Sequence, residues 1–385
     1  MANWLYIWEL GGGMGHMHRM ASISQELEKS GDRVTWCVPH HHAKSARNLW
    51  SRVIENPQRP RLKTRVIAPG NLAEILQNQG WHQADFLSES LAQWQQIIHT
   101  ENAEKILLDF APNALLAAVS SDREVAVAGT GFYIPPKANP LPAFRHDHGV
   151  YPDRLRWAED TVVAVVSDIL GKPLNGLSDL FHWKGVDNHL ASLAEWDHYP
   201  ARTKVDYRGV VSASSGSQIR WPKAAVQRIF AYLRPFPGLP ALLGSMRALG
   251  AHVQVHGNAM VKETVERLDC KTITFCDQPV DERSVAESRA VMVNHAGHDG
   301  TVKAALAGIA MLHLPLTIEQ SLTAKNAAKL GISEWIASHT SGEFTSTLKR
   351  LLNQQTERQK AARDWAVLQT PVTANLQRLV SSLLE

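Results

Sequence analysis

Twice in this chain an apolar run of strand length ends in a turn of small residues and leads directly into an amphipathic helix. The first run, Trp4 to Leu10, is followed by Gly11-Gly12-Gly13-Met14-Gly15, a helical pattern near Arg19 to Ser30 that Gly31 stops, and a strand over Val34 to Val38. The second, Val291-Met292-Val293, is followed by Asn294-His295-Ala296-Gly297-His298-Asp299-Gly300-Thr301. After it come a helix over Val302 to Ala307, Gly308, and a strand from Met311 to Leu314 closed by Pro315. Apolar strands joined by crossover helices are the repeating unit of a parallel sheet, so the fold class is α/β.

The same alternation continues between these points. Ile106-Leu107-Leu108 is a short strand ending at Asp109, and an Ala-rich helix over Asn113 to Val119 leads to a strand Val125 to Ala128 and the turn Gly129-Thr130-Gly131. The stretch from Pro135 to Leu155 reads as a long loop, and helical signals return over Ala158 to Leu170. The grammar restarts near residue 222, with a strand in Val226 to Leu233, a helix over Leu239 to Leu249 and a strand over His252 to His256. A length of 385 residues suits two domains better than one core. The boundary is expected between residues 205 and 222, in Ser212-Ala213-Ser214-Ser215-Gly216-Ser217, which gives domains 1–212 and 213–385. The final helical stretch, Leu351 to Leu384 with a break at Pro371, is long enough to pack back on the N-terminal domain.

A net charge of +3 argues against a dedicated nucleic-acid binder. One local exception groups Lys44, Arg47, Arg52, Arg59, Arg61, Lys63 and Arg65 with Trp50 and the single acid Glu55. That segment reads as a solvated loop, or as a surface for an anionic acceptor or an acidic membrane, with membrane association at most peripheral. Cys37, Cys270 and Cys276 form neither an even framework nor a metal spacing, which points to a reducing compartment, and Cys270 and Cys276, in strand-like sequence, read as small core residues. No window is long and apolar enough for a transmembrane helix and no charged leader with a cleavage site is present, so a cytoplasmic location is expected. His40-His41-His42 is set aside as a loop, because neighbouring residues of extended chain point to opposite sides and cannot share one ion. The expectation is no metal.

Chemistry is expected at two places. At the turn from Asn294 to Thr301, small residues let backbone N–H groups and a helix N-terminus face an anion, and Thr301 adds a hydroxyl donor: a diphosphate cradle. His16 follows Gly15 after the first strand, and Asp109 ends a later one. Carboxyl ends of parallel strands gather on one edge, so the two can meet there. A neutral imidazole can take a proton from a hydroxyl, with a buried carboxylate orienting the ring and stabilising the imidazolium. His18 is the close competitor. The turn Gly129 to Phe132, at another strand end, is a candidate lining for an acceptor pocket.

The order His295, Gly297, Thr301, Gly308, Pro315, Glu319-Gln320 resembles the donor-binding signature of nucleotide-sugar glycosyltransferases related to the plant and mammalian UDP-glycosyltransferases and to bacterial antibiotic glycosyltransferases. Gly12 to His16, Leu107 to Pro112, Gly129 to Phe132 and Phe275 to Pro279 have counterparts in the same order, and the likeness is weakest from about residue 135 to 220. The resemblance implies the GT-B architecture, two Rossmann-like domains facing a cleft, with acceptor bound mainly by the first and donor by the second. It implies an inverting transfer of a hexose from a UDP- or dTDP-sugar to a hydroxyl of a small molecule, lipid or glycan, with His16 as general base supported by Asp109. It further implies donor contacts by His295, Gly297, Gly300, Thr301, Glu319, Gln320 and Val280, an acceptor side formed by Gly13, Gly15 and Phe132, and no cofactor beyond the nucleotide sugar. Two positions depart from the family pattern. Asp299 stands where Gly or Asn is usual, either as a negative charge in the cradle or as the cap of the next helix, and Asp277 stands where an aromatic usually stacks on the base. Two alternatives accompany this reading: a non-catalytic nucleotide-sugar binder, and a GT-B nucleotide-sugar epimerase, for which no matching carboxylate set is found.

Overall fold

The computed structural model describes residues 1–58, 62, 65–145, 151–199, 201–203, 205–214, 216–336 and 342–385. Arg59, Arg61, Lys63, Ser215 and residues 146–150 of the expected loop lie outside the described residues. The chain forms two compact units, Met1–Ser212 together with Val372–Glu385, and Ala213–Pro371.

The first unit runs β1 (Asn3–Trp8), α1 (Met14–Lys29), β2 (Arg33–Val38), α2 (His40–Arg47), β3 (Val53–Glu55), α3 (Leu72–Gln77), α4 (Ala84–Thr100), β4 (Lys105–Asp109), α5 (Pro112–Ala118), β5 (Glu124–Gly129), α6 (Pro152–Leu170), α7 (Ser178–Phe181) and β6 (Val186–Leu190). The second runs β7 (Arg228–Tyr232), α8 (Leu239–Ala248), β8 (His252–His256), α9 (Ala259–Glu266), β9 (Ile273–Phe275), α10 (Glu282–Glu287), β10 (Val291–Asn294), α11 (His298–Leu306), β11 (Met311–His313), α12 (Ile318–Lys329), β12 (Ser333–Trp335), α13 (Phe344–Asn353) and α14 (Gln355–Ala366). The closing helix, α15 (Val372–Leu384), belongs to the first unit.

Each unit holds one parallel six-stranded sheet, ordered β3-β2-β1-β4-β5-β6 in the first and β12-β11-β10-β7-β8-β9 in the second. Counted within its unit, each is the doubly wound order 3-2-1-4-5-6, which reverses direction between its first and fourth strands. The reversal lies between β1 and β4 in one unit, where Trp8 is in register with Asp109, and between β7 and β10 in the other, where Tyr232 faces Asn294. Loops leaving such a pair diverge and open a crevice at the carboxyl ends. The strands are Val-, Leu- and Ile-rich because helices cover both faces. Leu5, Ile7, Leu107, Val291 and Val293 are fully buried, each contributing roughly 1.5–3 kcal/mol over the exposed state. Leu379, Val380 and Leu383 of α15 enter the same core as Met17, Met20, Ile23 and Leu27 of α1, which fixes the last helix on the first unit.

Several expected boundaries shift. α1 begins at Met14, because Gly13 caps it and Gly15 accepts helical geometry, so His16 lies within the first turn of the helix rather than before it. α11 begins at His298 with Gly297 as its cap, four residues ahead of the expected start. The long expected loop ends at Pro152, which opens α6 from the position where proline is best tolerated. His40-His41-His42 is the first turn of α2 rather than a loop, with Pro39 before it setting the entry. Cys270 and Cys276 flank β9 and are only half-buried, whereas Cys37 is buried. Among the described residues no helix is long and apolar enough to cross a membrane.

Candidate active site

In the first unit the chain leaves β1 through Gly11, whose φ of +89° places it in the left-handed region. A Cβ built there would stand 2.6 Å from His16 Nε2, so glycine is what lets the imidazole lie against the turn. Gly11→Ala is therefore expected to destabilise the unit by about 1–2 kcal/mol and to push the ring aside, a change that urea unfolding and the His16 NMR signals would register. The ring is flanked by Trp8, stacked at 4.8 Å and 15°. Gly13 is the cap of α1 and Gly15 sits within its first turn.

His16 Nδ1 is 3.0 Å from Asp109 Oδ1, and the carboxylate is fully buried. Because Nδ1–H is aimed at the carboxylate, Nε2 carries the lone pair, and it has no hydrogen-bond partner among the described residues. His18, two residues on, is rotated by about 200° around the helix and is half-buried. Arg19, one turn past His16, completes the network. Its Nε donates to Asp109 Oδ2 at 3.0 Å, its Nη2 to Oδ1 at 2.9 Å and Oδ2 at 2.8 Å, and Nη2 also reaches the Tyr133 hydroxyl at 3.1 Å. Burial by itself would raise the Asp109 carboxyl; Arg19 and then His16 outweigh it and hold the group below the usual carboxylate value. A depressed carboxyl contributes stability that is fully present above the unfolded value, about 3.9, and is lost as pH falls through the lower folded value. Asp109 is thus an anion throughout the neutral range.

Phe132 is buried, stacked on Phe144 at 4.6 Å and edge-on to His198 at 5.4 Å. Its neighbour Tyr133 stacks on Phe110 at 4.5 Å and lies 5.8 Å from the His16 ring. Phe110 itself has φ +46°, an uncommon conformation for a bulky residue, and its carbonyl accepts the Leu10 N–H at 2.9 Å. The turn before Tyr133 is tied down by Arg202, which pairs with buried Asp197 at 2.6 Å and donates to the carbonyls of Gly131 and Ile134.

In the second unit the turn after β10 is held from inside. Asn294 Oδ1 accepts the Ala296 N–H at 2.7 Å, which supports Ala296 at φ +59°, and meets His313 Nδ1 at 2.8 Å. Burial pushes His313 down to about 3, so it is neutral. The first backbone bond inside α11 is Thr301 N–H to Gly297 O at 3.0 Å, which leaves the N–H groups of His298, Asp299 and Gly300 ahead of the intrahelical ladder. Cβ atoms built on Gly297 and Gly300 would meet nothing within 4 Å, so the turn is open to close approach at both.

Other expected donor residues are placed differently. His295 donates from Nδ1 to Leu314 O at 2.6 Å and accepts the Arg234 N–H on Nε2 at 2.8 Å, so both nitrogens are engaged in clamping the loop after β7. Thr301 is fully buried, and its Oγ1 has no partner among the described residues. Gln320 folds back to accept the Leu316 N–H at 2.7 Å, while Thr317, the cap of α12, accepts the Gln320 N–H, so the return bond goes to the residue before the cap rather than to the cap itself as in a capping box. Glu319 lies in the first turn of α12, half-buried. Val280, nearly buried, bridges to Ser217.

Asp299 is not the cap of α11; it is the second helical residue, and it pairs with Lys303 at 2.9 Å. Lys303 Nζ also lies 3.9 Å from Glu282, and its side chain is only 4% exposed. Burial would lower this lysine, but Asp299 and Glu282 outweigh it and raise it above its ordinary value, so the ammonium is charged and balances Asp299. Asp277 is exposed and pairs with Lys262 at 2.8 Å. The exposed ring at this edge is Tyr232, 40% accessible, stacked on His256 at 5.4 Å. Among the described residues no group of His, Cys, Asp and Glu could hold a metal ion.

Arg19, Tyr133, Tyr232 and Lys303 were not singled out from the sequence. Arg19 carried a usable signal, since a residue three positions from His16 shares its helix face. Lys303 carried a similar one, four positions from Asp299.

No family model matches the chain, and no curated protein matches it. Solved structures do. Spinosyn rhamnosyltransferase superposes with a TM-score of 0.65 at 17% identity, covering 99% of this chain and 100% of that one. The calicheamicin glycosyltransferase CalG4 gives 0.69 at 14%, covering 100% and 97%. A Streptomyces sp. SF2575 glycosyltransferase complexed with thymidine diphosphate gives 0.63 at 14%, covering 99% and 100%. The spinosyn enzyme is also known with thymidine diphosphate and with spinosyn aglycone. At such identities the likeness is one of fold: the chain has the GT-B fold of these enzymes over its full length.

Proposed function

We propose that this protein is an inverting glycosyltransferase that moves a hexose from a UDP- or dTDP-sugar to a hydroxyl acceptor. The observation that carries the reading is His16, with Nδ1 on buried Asp109 and Nε2 unclaimed, at the strand reversal of a GT-B chain. Nε2 takes the proton of the acceptor hydroxyl as the oxygen attacks the anomeric carbon, and Asp109 stabilises the imidazolium. The leaving diphosphate is held by the N–H groups of His298, Asp299 and Gly300 at the α11 N-terminus. His295 serves by bracing the β7 loop, and reaches a phosphate only by releasing the Arg234 N–H. Structural neighbours that bind thymidine diphosphate support a pyrimidine nucleotide donor. No metal is required for this chemistry, and the charge and the absence of a spanning helix among the described residues fit a cytoplasmic enzyme.

With Asp277 in place of a stacking aromatic, the exposed ring of Tyr232 is the surface on which the base packs. Tyr232→Ala is expected to weaken UDP or dTDP binding about tenfold, from the roughly 1–3 kcal/mol of base stacking, with calorimetric titration as the check. Unchanged affinity would remove Tyr232 from the site. The reaction itself is tested by following nucleotide release from UDP- and dTDP-glucose with and without hydroxyl acceptors. Acceptor-dependent release is expected. Epimerised donor without an acceptor, or binding without turnover, would replace this reading with an isomerase or an accessory binder.

A further inference from the structure

We propose that Arg19 is a positioning residue that fits this protein to acceptors bearing an acidic, phenolic hydroxyl. This rests on His16 acting as the base, and goes beyond it by naming the acceptor class and the group that selects it.

Arg19 is 3% exposed, and its guanidinium covers both oxygens of Asp109 through contacts of 2.8 to 3.0 Å. The same Nη2 lies 3.4 Å from His16 Nδ1. The carboxylate that would stabilise an imidazolium is therefore shared with a permanent cation. While His16 is neutral, Asp109 and Arg19 sum to zero charge; once it takes a proton, this buried group carries a net positive charge. The other groups around the ring are aromatic or are engaged elsewhere. Trp8 stacks on it from β1, with His42 of α2 behind at 4.6 Å from Trp8. Tyr133 approaches from the segment after β5, and Tyr6 of β1 has a hydroxyl that burial raises well above its usual value, so it stays neutral. Glu9, at the end of the same strand run, is engaged by the first turn of α5, accepting the Asn113 N–H at 2.9 Å.

A base restrained in this way works best when the acceptor gives up its proton readily. A phenol ionises near 10, whereas an alkanol resembles water and gives up its proton far less readily. In the step, the phenolic O–H bond gives its proton to His16 Nε2 and the oxygen forms the bond to the anomeric carbon. The anomeric C–O bond to the diphosphate breaks, and its electron pair leaves with the nucleoside diphosphate. The buried rings of Trp8 and Tyr133 pack against the imidazole and hold it in place.

The test compares phenol with cyclohexanol, similar in size, using UDP- and dTDP-glucose and the full chain. Wild type should favour phenol in kcat/KM by about a hundredfold, and Arg19→Met should narrow that ratio about tenfold because His16 then has Asp109 to itself. Arg19→Lys, which keeps the cation, should hold the wild-type ratio. Independently of turnover, the NMR signals of the His16 ring should shift in Arg19→Met, which removes a cation 3.4 Å from Nδ1. An equal rate on cyclohexanol in wild type, an unchanged ratio in Arg19→Met, or unmoved His16 ring signals would overturn the proposal. If Arg19→Met does not fold, the wild-type ratio and Arg19→Lys still decide it. A wild type that consumes donor with alkanols only would defeat this inference and leave glycosyl transfer standing; one that transfers to no hydroxyl would defeat both.

Discussion

His16→Ala is expected to lower acceptor-dependent transfer by about 10²–10⁴-fold, the usual contribution of a positioned general base, while leaving nucleotide affinity unchanged. The separation follows from placement. His16 belongs to the first unit, where its polar partners among the described residues are Asp109 and Arg19, and the diphosphate cradle proposed at α11 belongs to the second. A loss confined to kcat, with nucleotide binding preserved by calorimetry, would match a residue that acts when the proton moves. Asp109→Asn should also lose activity, because an amide can turn its NH₂ toward Nδ1 and favour the tautomer with its proton on Nε2, the nitrogen that must accept. Full activity in His16→Ala with loss in His18→Ala would reassign the base.

Lys303→Met should destabilise the protein by about 3–5 kcal/mol, the order found when one partner of a buried pair is removed. The Lys303 and Asp299 side chains are 4% and 10% exposed, so little solvent screening softens the loss, and Glu282 stands 3.9 Å from the same ammonium. Urea unfolding reads this directly, with a lower midpoint at an unchanged slope. The companion Asp299→Asn in the Lys303→Met background should recover part of the stability, since no charge at position 299 is then left unpaired. Additive losses would show that Asp299 and Lys303 act separately. The pair also explains how a carboxylate is tolerated beside the proposed anion cradle. Asp299 is balanced from within its own helix, and a first-turn carboxylate favours the helix dipole.

Much of this architecture was visible in the residues. The two strand–turn–helix units gave the α/β class, and the apolar runs at Trp4 and Val291 are the strands that border each sheet reversal. Asp109 could be assigned to a strand end because its apolar run stops there, and His16 to the turn region after the first strand, and the packing of α1 on the sheet brings them to 3.0 Å. Helix starts were less legible. Gly15 and Gly300 look like turn residues, yet both lie inside first turns, where glycine costs about 1 kcal/mol and tertiary packing overrides propensity. Side-chain partners were least legible. Nothing in the spacing of His295 shows that Leu314 O and Arg234 N–H occupy both its nitrogens, nor that Gln320 turns back to Leu316. Such contacts depend on loops that close only when the sheet forms. Thr301 shows the same limit. Its hydroxyl suited a phosphate in the sequence, but the earlier start of α11 rotates it into the interior.

The most direct measurement is product analysis after incubation with an α-linked UDP- or dTDP-hexose and a phenolic acceptor. A β-glycoside is expected, identified by mass and by its anomeric proton, formed in equal amount to the released nucleoside diphosphate and lost in His16→Ala. An α-glycoside, nucleotide release with no glycoside, or β-glycoside formation undiminished in His16→Ala would contradict this expectation.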